Sequence, residues 1–143
     1  MKKLNCKTSI EIRDLILDTL KLDVRTEDRS YEIKPIKWYL KTPWFGMKPF
    51  YYTGEAVDCD DFNTILKYEW LKRHIKKACA GPQSGGSWPA LPVFQAKIQL
   101  ANGNNHWVMC VVAEEGVYLV ERTEDTIRIV DQGKYVKIYR MHI

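Results

Sequence analysis

Apolar residues recur at two different periods along this chain, and the change of period divides it into a helical part and a strand part. Ile12, Leu15, Ile16 and Leu20 fall at helical spacing, and Thr8-Ser9-Ile10-Glu11 has the form of a capping box, so a helix over about 9–21 is predicted. Phe62, Ile65, Leu66 and Trp70 repeat the pattern. They predict a long helix over about 59–79, with Asp58 as its N-cap and Ala80-Gly81-Pro82 as its end. Beyond it the period shortens. The runs 93–100, 106–113, 117–121, 127–130 and 135–140 are rich in β-branched and aromatic residues, and short turn sequences such as Asn102-Gly103 and Glu114-Glu115-Gly116 separate them. Strands this closely spaced predict an antiparallel meander. The fold expected is therefore α+β, with helices first and then a sheet of about five strands packed against the long helix.

Two stretches carry neither period. Lys21 to Ser30 is a charged connector, and Pro35 to Tyr52 holds seven aromatics (Trp38, Tyr39, Trp44, Phe45, Phe50, Tyr51, Tyr52) with three prolines and a glycine. The second reads as irregular backbone wrapped on the core, serving either as plain cover or as the wall of a cleft. A Gly- and Pro-rich loop, 81–89, links the long helix to the first strand, as a connector or as a mobile segment beside a site.

Composition narrows the class. With 143 residues, 45% hydrophobic and 28% charged, the chain suits a single domain with a real core. Its apolar runs are too short for a membrane span, and no apolar stretch follows Met1-Lys2-Lys3-Leu4 as a secretory signal requires, so a cytoplasmic protein is expected. A net charge of +4, from 22 basic and 18 acidic residues, is too small to predict nucleic-acid binding. The run Lys72-Arg73-His74-Ile75-Lys76-Lys77 reads as a solvated helix face. Cys6, Cys59, Cys79 and Cys110 are dispersed without a CxxC pair, which argues against structural zinc and for reduced thiols.

One of these thiols stands in an unusual place. In Val57-Asp58-Cys59-Asp60-Asp61-Phe62 the cysteine opens the long helix, where unpaired N–H groups favour a thiolate, yet three carboxylates oppose it. The arrangement makes a reactive cysteine only if a cation offsets the acids. Asp58 is occupied as a cap, and Asp60 and Asp61 project about 100° and 200° round the helix from Cys59. A base is also needed. His142 adjoins the C-terminus, and His74 lies about 22 Å further along the same helix. His106, which opens a strand, is the better candidate. If Val112 opposes Val117 in the hairpin, position 121 opposes 108, and Glu121 lies on the same face as His106 as a diagonal neighbour able to orient it. The plainer alternative is a buried cysteine, a satisfied strand histidine and an ordinary turn acid.

The combination of Asp58-Cys59-Asp60-Asp61-Phe62, Asn105-His106-Trp107 and Val117-Tyr118-Leu119-Val120-Glu121 resembles the papain-like cysteine peptidase domain of the fairy-ring mushroom agglutinin and its bacteriophage relatives. It is more distantly similar to the bacterial transglutaminase-like cysteine proteinases. The likeness covers about 52–121 of the single expected domain 1–143, leaving 1–35 and the closing strands 122–143 without a counterpart. It implies a papain-like fold and a thiol hydrolase acting on a peptide or protein, with Cys59 as nucleophile, His106 as base and Glu121 as its orienter. It also implies calcium held by Asp61, with Asp60 as a second ligand, which would supply the cation missing above. A phage origin would place the protein in the host cytoplasm or the virion. Departures from the family's pattern fall at Asn63, Trp107, Met109, Arg122 and Thr123. Two alternatives stand beside this reading. One is a catalytically inactive papain-like fold that binds a host or virion protein partner, and the other is a peptidoglycan endopeptidase of the NlpC/P60 type.

Overall fold

The computed structural model describes residues 5–25, 28–41, 59–80, 89–122, 127–131, 133 and 135–142, with only the backbone described at 59–61, at 77–80 and at four positions of the last strand. The predicted first helix forms as α1, Ser9–Leu20. Its capping box is closed on both sides: the Glu11 N–H donates to Thr8 Oγ1 at 3.3 Å, and the Thr8 N–H donates to Glu11 Oε1 at 3.1 Å. Lys21 ends the helix in the left-handed region, at φ 57°, with its N–H on the Leu17 carbonyl.

Three elements depart from the sequence reading. Cys6–Thr8 (β1) and Ser30–Glu32 (β2) pair antiparallel on either side of α1. Three-residue strands carry too few positions to show a period, so only the pairing defines them. Within the aromatic segment expected to be irregular, Ile36–Leu40 forms a short helix, α2; the stretch 42–58 lies outside the described residues. Its first turn is held from a distance, because the Ile36 N–H donates to Glu115 of a strand turn at 3.0 Å.

The long helix α3 spans Cys59–Ala80. The sheet comprises β3 (Val93–Leu100), β4 (Asn105–Ala113), β5 (Gly116–Arg122), β6 (Ile127–Ile129) and β7 (Tyr135–His142). Its order is β6-β5-β4-β3-β7, antiparallel at every pairing. Four strands form the expected meander, but β7 returns to the far edge and pairs with β3 instead of β6. That placement covers the edge β3 would otherwise present and brings Ile138 and Met141 onto the core.

Strand alternation sorts the core onto two faces. Phe94, Ala96, Ile98, Val108, Cys110, Val112, Val117 and Leu119 pack with Ile12 and Ile16 of α1. Val93, Met109, Val111 and Val120 pack with Leu66 and Trp70 of α3 and with Tyr39 of α2. The sheet is thus buried on both sides, which explains why β4 reads as a nearly unbroken apolar run. Trp70 fixes α2 to α3: its Nε1 donates to the Tyr39 carbonyl at 3.1 Å, and the two rings meet edge to face at 5.1 Å.

A buried ionic cluster joins α3 to β2. The Lys34 ammonium lies 2.9 Å from Glu32 Oε2, and His74 Nδ1 lies 3.2 Å from the same oxygen. His74 Nε2 donates to the Pro89 carbonyl at 2.7 Å. His74 therefore leaves the solvated basic face on which the sequence placed it and turns inward.

Candidate functional site

α3 lies along β4 in a definite sense. Thr64 near its start accepts a bond from Gln95, which is paired with Met109, at 3.3 Å. His74, further along, meets Pro89 and Glu32, beside Lys34, whose carbonyl accepts from the Glu114 N–H. Five residues ahead of Thr64, about 7.5 Å at helical rise, Cys59 opens the helix toward the end of the sheet where β4 begins and β5 ends.

That end of the sheet carries His106 and Glu121. Val112 does oppose Val117, and the ladder continues through Met109 and Val120. The next step sets Glu121 beside Val108, on the face that also carries Ile98 and its directly paired neighbour His106. The imidazole Nε2 donates to Glu121 Oε2 at 2.7 Å. With Nε2 committed to the carboxylate, Nδ1 is the other ring nitrogen that can carry a proton. The ring is 24% exposed and the carboxylate 14%, so the pair is sheltered without being sealed.

A third member was not anticipated. Arg128 Nε donates to Glu121 Oε1 at 2.6 Å from the cross-strand position of the β5–β6 pair. Extending the pairing across 123–126 would have found it, since 122 then faces 127 and 121 faces 128. The His106 hydrogen bond first, and the Arg128 bond and charge with it, hold the Glu121 carboxyl below its ordinary range, against the opposing effect of burial. Glu121 stays ionised and both its oxygens are committed, as an orienting carboxylate requires.

The other expected site residues fall differently. Cys59, Asp60 and Asp61 are placed only as the first turn of α3, their side chains lying outside the described residues, as does Asp58 entirely. α3 packs on the opposite sheet face from His106 and Glu121. A thiol from its first turn and the imidazole can therefore meet only around the end of the sheet. Trp107 occupies the α3 side of β4, with the Lys97 ammonium 6.0 Å from its ring. No group of three or more His, Cys, Asp or Glu side chains converges to hold a metal among the described residues, and the calcium ligands expected at Asp61 and Asp60 fall outside them.

Three further polar side chains are buried on the α3 side. Burial pushes the Arg122 guanidinium down to about 10, with Glu69 pulling the other way, so it remains charged at neutral pH. Asn63, one turn below Cys59, is 1% exposed, and its Nδ2 has no hydrogen-bond partner among the described residues. Of the remaining thiols, Cys110 is buried and pushed up to about 12, whereas Cys6 is exposed and held up by partial burial and by Glu32. No family model, curated protein or solved structure matches this chain. No helix among the described residues is long and apolar enough to cross a membrane.

Proposed function

We propose that the protein is a thiol hydrolase of papain-like type, acting on a peptide or protein, with Cys59 as nucleophile, His106 as general base and Glu121 as the group that orients the imidazole. The observation that carries this reading is the 2.7 Å His106–Glu121 bond, anchored by Arg128, at the end of the sheet toward which α3 begins. In the proposed reaction His106 Nδ1 takes the thiol proton as sulfur attacks the substrate carbonyl, then returns it to the leaving amine. Water, deprotonated by the same nitrogen, releases the acid from the thioester. Glu121 keeps Nε2 as the donor and stabilises the imidazolium formed in each half. A calcium ion on Asp61 and Asp60 belongs to the same proposal, as a counter-charge for the acids around Cys59.

A second reading is a non-catalytic binding domain that engages a host or virion protein. It is favoured by the placement of α3 and the His106–Glu121 pair on opposite faces, with Trp107 on the α3 side. One experiment separates the two. Iodoacetamide at neutral pH should label Cys59 well ahead of exposed Cys6, and His106→Ala should abolish the preference. Equal rates at Cys59 and Cys6 would sink the hydrolase reading. For calcium, a melting temperature unmoved by chelator, in wild type and Asp61→Ala alike, would remove the ion.

A further inference from the structure

Five large apolar residues stand out as exposed among the described residues: Ile10, Leu17, Tyr68, Ile75 and Ile129. Scattered singly they would call for no explanation. Four of the five, however, fall in two stripes of identical spacing. On α1, Ile10 and Leu17 flank Asp14, and on α3, Tyr68 and Ile75 flank Lys72. Each stripe reads apolar, charged, apolar at i, i+4 and i+7, which lies along one side of a helix. The exposures are 68% and 46% on α1, and 59% and 55% on α3.

The charges of the two stripes are opposite in sign. Exposed Glu11 and Asp18 adjoin the α1 stripe, Arg13 within it is paired with Asp23 at 3.5 Å, and Lys7 and Lys21 lie beyond its two ends. Exposed Lys76 adjoins the α3 stripe, and the only acid between Phe62 and Lys76 is Glu69, which is buried. Lys72 already lies along this surface, 5.2 Å from the Tyr68 ring and 3.5 Å from Glu69. Beside the α1 stripe an open cavity of about 450 Å³ is bordered by Glu11, Asp14, Leu17 and Asp18 together with Lys7 and Leu15. It has the size and the acidic rim to receive a lysine or tyrosine side chain.

Because α1 and α3 cover opposite faces of the sheet, the two stripes cannot meet within one molecule. We infer that they meet between molecules, the α1 stripe of one copy docking on the α3 stripe of the next. Such a contact joins unlike surfaces, so a joined pair keeps one free stripe of each kind and the assembly grows head to tail, into a ring or an open chain. One pair of helical stripes is smaller than a standard stable interface, so the association is weak and concentration-dependent. The inference stands apart from the hydrolase reading and uses none of its residues.

The test is sedimentation velocity of the whole chain from about 10 μM to about 1 mM, a range suited to weak association. The weight-average mass should rise with concentration, and raising the salt to about 0.5 M should reverse much of the rise. Asp14→Lys and Lys72→Glu should each lower the association constant about tenfold or more through like-charge contact. An equimolar mixture of the two variants should recover it, because each supplies the charge the other has lost. Lys76→Glu, on the same stripe, replaces Lys72→Glu if melting curves show that variant unfolded. A chain that stays monomeric over the whole range overturns the inference, as does a mixture that associates no better than either variant alone.

Discussion

Replacing Glu32 by glutamine tests the buried cluster that fastens α3 to β2. Glu32 Oε2 faces both Lys34 Nζ at 2.9 Å and His74 Nδ1 at 3.2 Å, and all three side chains are at most 7% exposed. The substitution keeps the shape and deletes the only negative charge in the trio, leaving the lysine ammonium buried beside a neutral amide. Breaking a buried pair from one side costs about 3–5 kcal/mol, far more than the net worth of the intact pair, because the remaining charge stays desolvated. For a chain of this size each kcal/mol lowers the melting temperature by roughly 2–4 °C, so a drop on the order of 10 °C is expected. Urea denaturation followed by far-UV circular dichroism gives the free energy directly, and an unchanged slope would show that the native state keeps its compactness. The double variant Glu32→Gln/Lys34→Met should recover most of the loss, since the orphaned charge goes with the lysine. Asp23→Asn, which breaks the exposed Arg13–Asp23 pair, should leave the midpoint unmoved. A loss for Glu32→Gln below about 1 kcal/mol would refute the reasoning, because water would then be reaching the cluster.

Three further outcomes are expected. Leu66→Ala, at a fully buried position between α3 and β4, should cost about 2–5 kcal/mol in the same denaturation assay. Since the Glu121 carboxyl is held below its ordinary value of 4.5, chiefly by His106 and then by Arg128, its ionised form adds stability that is fully present above that value. This contribution is lost as the pH falls through the lower folded value, so wild type should lose more stability than Glu121→Gln from about pH 5 downward, and parallel acid profiles would contradict the pairing. Asn63→Leu removes a buried amide donor that lacks a partner among the described residues, so it should leave the melting temperature unchanged or raise it; a clear fall would mean the amide is bonded in solution.

Much of the fold was legible locally because the signals that specify it are local. The Thr8–Glu11 capping box, the helical period of Phe62, Leu66 and Trp70, and the turn at Glu114-Glu115 each act within a few residues. The turn also fixed a longer consequence: with Val112 opposite Val117, the side-chain period of two sets Glu121 on the face of His106. The contact between them was therefore predictable before any packing was known.

What only the tertiary structure decided is which elements lie on which side of that sheet. Alternation along β4 marks two faces but does not say which receives α1 and which α3, and packing assigns Val108 and Cys110 to the first and Met109 and Val111 to the second. The same packing turns His74 inward onto Glu32, where Lys34 completes a buried charge cluster, and moves β7 to the edge of β3. Spacing along the sequence cannot encode these relations. They depend on apolar burial, which is non-directional and is settled by the shape of the whole chain.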